Sequence, residues 1–140
     1  MSYAAYDLIH DLVKTALIKD GWTITHDPLR LVIDELKGYV DLGAEKAIAA
    51  IKGNRKIAVE IKSFQGPSKM QSLEGAIGQY QLYAAMLEEL EPDRIIYLAI
   101  TEPTFVNVFD TKASRKLLQR LGIRLIVVSV QKEEVLTWID

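Results

Sequence analysis

Lys56-Ile57-Ala58-Val59-Glu60-Ile61-Lys62 is the stretch on which the fold turns. Side chains of an extended chain alternate faces, so Ile57, Val59 and Ile61 point one way while Ala58, Glu60 and Lys62 point the other. An apolar face therefore stands back to back with a charged pair. A carboxylate and an ammonium two residues apart on a core-like strand are costly to desolvate unless each has a partner or a task. The plainest alternative is an ion pair on a sheet edge or solvent face, and the triplet alone does not decide between them.

Asp41 changes the balance. It lies in Tyr39-Val40-Asp41-Leu42, another apolar setting, and the turn signal Lys52-Gly53-Asn54-Arg55 feeds directly into the strand at residues 56–63. The alanine-rich run from Ala44 to Ile51 also suits a helix, but the turn favours a hairpin that brings Asp41 alongside residues 56–62. Two carboxylates and a lysine then converge. Hard oxygen ligands with few other donors suit Mg²⁺ or Mn²⁺, which keep several waters and share coordination with phosphate oxygens. Such an ion supplies what phosphodiester hydrolysis needs, and Lys62 would stabilise the added negative charge or orient the attacking water. If residues 41–47 form one uninterrupted strand, Glu45 shares the parity of Asp41 and is a rival ligand, an equivalence that a bulge would break.

Outward from this hairpin the chain alternates helices and strands. Ala5, Leu8, Ile9, Leu12, Val13, Ala16 and Leu17 recur at helical spacing, and Gly21 follows where a helix would stop. Residues 22–25 and 31–36 read as two strands, separated by Asp27-Pro28. After the loop Gln65-Gly66-Pro67-Ser68, a stripe from Leu73 to Leu87 predicts a long helix that ends before Pro92. Residues 95–100 form a nearly unbroken apolar run, as expected of a central strand covered on both faces. Residues 103–121 read as helix interrupted near Asp110-Thr111, and 123–130 and 135–139 as closing strands. The order predicts a single α/β domain over residues 1–140, a sandwich with a central mixed sheet flanked by helices.

Composition narrows the function. The absence of cysteine excludes disulfides, thiolate zinc sites and cysteine nucleophiles, and fits a cytoplasmic setting. Neither histidine has a metal-spaced companion, so a zinc site or a histidine-centred nucleophile is not expected. The first residues lack a signal-peptide pattern and no apolar run reaches the roughly 20 residues needed to span a bilayer, so a soluble, unprocessed chain with no membrane partner is expected. A net charge of −2 argues against a broad basic surface for coating DNA, and leaves a local cleft, a metal bridge to phosphate or a basic partner.

Asp41, an 18-residue gap and Glu60-Ile61-Lys62, with a helix before and after, resemble the PD-(D/E)XK nuclease core, Val40 replacing the proline of that name. Across the whole chain, residues 10–17, Asp20-Gly21-Trp22, residues 41–46, residues 57–64, Gly78-Gln79-Tyr80 and the ending Leu136-Thr137-Trp138-Ile139-Asp140 look like the XisH family. That resemblance implies a restriction-endonuclease-like fold and a role as a factor controlling excision of the fdxN DNA element in cyanobacteria. It implies DNA, an XisI-like protein and a site-specific recombinase as partners, with a homo-oligomer left open. It also implies metal ligation by Asp41 and Glu60, with Asp11 matching the first-helix acid that supplies a third ligand in many such nucleases. On a helical wheel Asp7, His10 and Asp11 lie away from the apolar stripe, so a solvated face is the competing account. Gln79 and Tyr83, four apart on one helix face, resemble the motif that follows the active strand in RecB-like nucleases, where they support the site or contact DNA. Packing is the alternative for Tyr83, and the expectation for Trp22 and Trp138. Lys46 and Lys69 read as ordinary surface lysines. Two functions follow: a Mg²⁺- or Mn²⁺-dependent DNA endonuclease, or a noncatalytic accessory factor on the inherited fold.

Overall fold

The computed structural model describes residues 2–47 and 54–140, with side chains described from Leu8 to Lys46 and from Asn54 onward. The expected turn at residues 52–55 lies outside the described residues up to Gly53. The strands on either side of it do pair as a hairpin should: β4 (Leu42–Ala47) runs antiparallel to β5 (Asn54–Ile61), Leu42 opposite Val59 and Glu45 opposite Lys56. Through residue 47, then, the alanine-rich segment is strand and not helix.

The six-stranded sheet has the order β1-β4-β5-β6-β7-β8, where β1 is Thr23–His26, β6 Arg94–Thr101, β7 Leu125–Ser129 and β8 Glu134–Ile139. The central three strands, β5, β6 and β7, are parallel, and the outer pairings are antiparallel, giving the mixed sheet predicted from the sequence. Parallel neighbours need crossovers. The first is α2 (Lys69–Leu90), and the second combines α3 (Glu102–Thr104), a π-helical turn (Phe105–Phe109) and α4 (Lys112–Leu121). The break expected at Asp110-Thr111 is where α4 begins, with Thr111 Oγ1 accepting from the Ser114 N–H.

Alternation in β5 sorts the core into two layers. Ile57, Val59 and Ile61 pack with Val13, Ala16 and Leu17 of α1 (Ser2–Lys19), whereas Ala58 faces α2 and joins Ala76, Tyr80 and Leu87. Fully burying each large aliphatic side chain contributes about 1.5–3 kcal/mol, and the period of two assigns that gain to opposite faces of one strand. Glu60 shares the parity of Ala58 and so belongs to the α2 face.

Residues 31–36 are not one strand. The chain forms a separate hairpin, β2 (Leu29–Ile33) against β3 (Leu36–Val40), turning at Asp34-Glu35. Asp34 has φ 51°, a left-handed conformation that aspartate tolerates better than most residues, so the turn forms without glycine. The hairpin lays Leu29, Leu31 and Val40 onto the α2 layer, where the Tyr83 ring lies so close to Gly38 that a Cβ there would sit 2.7 Å from Tyr83 Cε1.

Polar side chains fix the remaining joints. Trp22, Tyr97 and Trp138 surround Arg55, whose guanidinium carbon lies 5.5, 6.0 and 5.6 Å from their ring centres. Arg55 donates to Tyr97 Oη at 2.7 Å, and Tyr97 donates onward to Asp140 at 2.6 Å, tying β8 to the sheet. Burial pushes the Tyr97 hydroxyl up to about 12, so it keeps its proton for that bond. The Tyr80 hydroxyl donates to Ile96 O at 3.0 Å and accepts from the Arg124 N–H at 3.1 Å. Tyr80→Phe strands both backbone groups in a buried place, and we expect a loss of about 1–3 kcal/mol in urea unfolding. An unchanged midpoint would mean that water replaces the hydroxyl.

Candidate metal site at the end of the central strand

Sheet register and a break in the backbone together build the site. β3 ends at Val40 and β4 starts at Leu42, so Asp41 sits at the bend between the β2–β3 hairpin and the main sheet. Because Leu42 pairs with Val59, Asp41 lies across from Glu60. Freed from the strand, the Asp41 side chain turns toward β5, where its Oδ2 accepts from the Ile61 N–H at 2.7 Å. The Asp41 N–H in turn makes a long bond of 3.4 Å to Glu60 Oε1. Lys62 Nζ is 3.6 Å from Glu60 Oε2, and the Lys62 N–H donates to Ala99 O at 3.2 Å, so pairing with β6 continues past the end of β5. The three residues singled out in the sequence are brought together.

Glu60 is 3% exposed. Burial pushes its carboxyl up to about 8, helped by the charge of the adjacent Asp41 and a hydrogen bond between the two carboxyl groups, while Lys62 pulls the other way. Near neutral pH Glu60 is therefore held largely protonated beside Asp41. A divalent cation bound here would take the place of that proton between the two side chains. The donor set fits a small hard ion: two carboxylates, no thiolate and no imidazole. Among the described residues no three of His, Asp or Glu cluster as a metal site, so most of the coordination sphere would be left for water and substrate oxygens.

The other residues weighed from sequence have different surroundings. Asp11 is 81% exposed and its ion pair is with His10 at 3.7 Å, in keeping with a solvated helix face. His10 is not simply solvated: its Nε2 is 2.8 Å from Asp27 Oδ1, and Lys14 binds the other oxygen of Asp27 at 2.9 Å. The side chain of Asp7 lies outside the described residues. Glu45 keeps the sheet-face parity of Glu60, but it pairs with Lys56, four residues earlier on β5, which is about 13 Å along a strand. It accepts from Asn54 at 3.2 Å and faces Arg94 at 3.8 Å. Gln79 and Tyr83 meet each other, Gln79 Nε2 donating to Tyr83 Oη at 3.1 Å, and Tyr83 is buried. Lys46 donates to Asp20 O at 2.8 Å, whereas Lys69 is exposed.

Two features escaped the sequence. A polar cleft of about 260 Å³ opens beside Lys62, lined also by Gln65, Gln71 and Ser72. It is shaped by Phe64, which holds φ 55° directly after Ser63, a left-handed backbone that costs a non-glycine residue about 1–2 kcal/mol. Phe64 is anchored there by its edge-to-face contact with Phe109 at 5.2 Å. The second is Arg94, whose buried guanidinium donates to Ile57 O at 2.9 Å and to both oxygens of Glu91 at 3.2 Å. The nearby Pro92-Asp93-Arg94 sequence marked only the end of a helix.

The XisH protein family profile matches residues 3–136. The crystal structure of an XisH family protein from Nostoc punctiforme aligns with a TM-score of 0.85 at 31% identity, covering 95% of this chain and 99% of that one. That of an fdxN element excision controlling factor protein from Anabaena variabilis aligns with a TM-score of 0.85 at 35% identity, covering 96% of this chain and 99% of the other. No curated protein matches the chain.

Proposed function

The chain belongs to the XisH family, and from that premise we propose that it is a factor controlling excision of a DNA element, working as a Mg²⁺- or Mn²⁺-dependent DNA endonuclease of the PD-(D/E)XK type. The observation that carries the reading is the convergence of Asp41, Glu60 and Lys62 on the buried end of β5. The excision role rests on likeness to the Anabaena variabilis relative. The absence of cysteine fits work in a reducing cytoplasm, where the DNA is.

Asp41 and Glu60 would hold the ion, with Asp11, exposed on α1, the candidate for a third position. The bound ion supplies Lewis acidity toward a phosphoryl oxygen and lowers the pKa of a coordinated water. The protein's own residues do the rest. The Ile61 N–H fixes one oxygen of Asp41, which holds the side chain beside Glu60. Glu60 would release its proton to solvent and bind as the carboxylate. Lys62, on the same strand face, meets the negative charge that builds on the phosphoryl group. The polar cleft beside Lys62 would give the DNA backbone a place to lie, and Gln79 with Tyr83, bonded to each other farther along α2, would have a supporting role.

The test is incubation of the purified protein, with and without an XisI-like partner, with supercoiled and branched DNA in Mg²⁺ or Mn²⁺. Cleavage is expected, is abolished by EDTA, and is lost in Asp41→Ala and Glu60→Ala. Cleavage that survives both substitutions rules out this site. No cleavage under any condition favours the second reading, an accessory factor that binds DNA, a site-specific recombinase or an XisI-like protein, or that self-associates. The net charge of −2 and the controlling-factor name of the relative support that reading. No described helix is long and apolar enough to cross a membrane.

A further inference from the structure

On the outer side of the α2 layer, away from Asp41 and Glu60 in sequence, α2 and α4 diverge to leave a groove of about 420 Å³. Its walls are almost wholly apolar: Leu73 and Ile77 from α2, Leu117, Leu118 and Leu121 from α4, with Phe109 as the floor. Met70, Leu117 and Leu121 line it while 63%, 53% and 43% exposed. Contiguous apolar surface of this kind, rimmed by charge, marks interaction sites in folded proteins.

The rim is charged asymmetrically. α4 reads Lys-Ala-Ser-Arg-Lys-Leu-Leu-Gln-Arg-Leu and has four cations and no acid. At 100° per residue, Arg120 and then Lys116 follow Leu117 on the outward side, so two exposed cations form the α4 lip. The α2 lip carries Glu74 and Gly78. Gly78 is an interior helix position, where glycine is less favourable than alanine, yet a Cβ there would meet nothing within 4 Å. Packing within this chain does not require that glycine, and the missing side chain leaves the α2 lip open to close approach by another backbone. α4, ten residues and so about 15 Å long, is held at both ends by Thr111 and by Gly122 at φ 68°.

We propose that this groove docks an amphipathic helix of another protein, whose apolar stripe fills the space over Phe109 and whose acidic flank lies along Lys116 and Arg120. Leucines spaced i, i+3, i+4 and i+7 match the three turns the groove can seat. The cationic lip selects the acidic flank, and Glu74 on the opposite lip sets the direction of the helix. Apolar walls favour a protein helix over nucleic acid, which the cations alone would also attract.

The probe is a stapled peptide of about 15 residues with that leucine spacing and glutamates on one flank, compared with the same peptide carrying lysines there. Fluorescence anisotropy with the full chain should show the acidic peptide binding at least tenfold tighter than the basic one. Leu117→Glu should abolish binding. Gly78→Leu, which keeps a good helix former, should weaken it at least tenfold without lowering Tm. The double charge reversal Lys116→Glu with Arg120→Glu should invert the preference. Equal binding of both peptides, or binding indifferent to Gly78→Leu, overturns the proposal. So does a concentration-dependent dimer broken by Leu117→Glu, which makes the occupant a second copy. Loss of duplex-DNA affinity in the charge-reversed protein, with neither peptide bound by the parent, assigns the lip to nucleic acid instead.

Discussion

Glu60→Gln is expected to raise the melting temperature of the metal-free protein at pH 8 by an amount on the order of 10 °C and to leave it nearly unchanged at pH 4. The sign follows from where the proton sits. In the unfolded chain the Glu60 carboxyl has an ordinary value of 4.5, whereas in the fold burial and the neighbouring Asp41 push it up to about 8. Between those values the folded protein keeps a proton that the unfolded chain has released, so stability falls as pH rises, by up to about 1.4 kcal/mol for each pH unit. Below pH 4.5 both states are protonated and nothing is lost; above 8 the full cost has been incurred. Glutamine carries no charge at any of these pH values and can still donate to Asp41, so its stability lacks that slope.

The same proton links stability to the metal. Mn²⁺ bound at the proposed site would displace it, so in the parent protein Mn²⁺ should raise Tm strongly at pH 8 and less at pH 6, where protons compete for Glu60. Glu60→Gln should show no Mn²⁺-dependent shift at either pH. Differential scanning fluorimetry over the two pH values reads both effects. A variant no more stable than the parent at pH 8 would show that Glu60 is ionised at little cost, and with that the electrostatic case for a metal-ready site would fall.

The reason Glu60 could be singled out from sequence is that its environment is imposed by period alone. Ile57, Val59 and Ile61 commit one face of β5 to the α1 layer, and the charged pair is then forced to the other. The central strand at residues 95–100 and the long α2 helix were legible for the same reason, since each carries its burial pattern within one continuous segment. Asp41 was legible as a partner but not as a geometry. Reading it as an ordinary strand residue made Glu45 its equivalent, whereas the bend before Leu42 releases Asp41 to bond the Ile61 N–H and leaves Glu45 with Asn54 and Arg94. The hairpin at Asp34-Glu35 was missed because its turn has no glycine or proline to announce it. Contacts such as His10 with Asp27, or Arg94 with the Ile57 carbonyl, join residues 17 and 37 positions apart, and no local pattern encodes them.

Lys62→Gln should separate binding from chemistry within the proposed site. Lys62 Nζ lies 3.6 Å from the buried Glu60 carboxyl group, and its side chain is 32% exposed, between the proposed metal ligands and the polar cleft. A cation so placed does nothing to help a divalent ion bind; it adds positive charge beside the site. Its removal should leave Mn²⁺ affinity unchanged or somewhat tighter at pH 8, measured by calorimetry. Hydrolysis, by contrast, gains a full negative charge at phosphorus as the nucleophile adds, and a preorganised ammonium in a partly dry site contributes most at that moment. Losing one such group typically costs about 100- to 1,000-fold in rate, so cleavage of supercoiled DNA should fall by that much at saturating Mn²⁺. Glutamine retains hydrogen-bonding capacity and much of the side-chain bulk, which keeps the cleft wall in place, and an unchanged Tm with metal bound would show it. Cleavage within about threefold of the parent would remove Lys62 from the chemistry and reduce it to the ion-pair partner of Glu60. A parallel loss of Mn²⁺ affinity would instead make it a structural support for the carboxylates, because Glu60 would then depend on that ammonium to ionise at all.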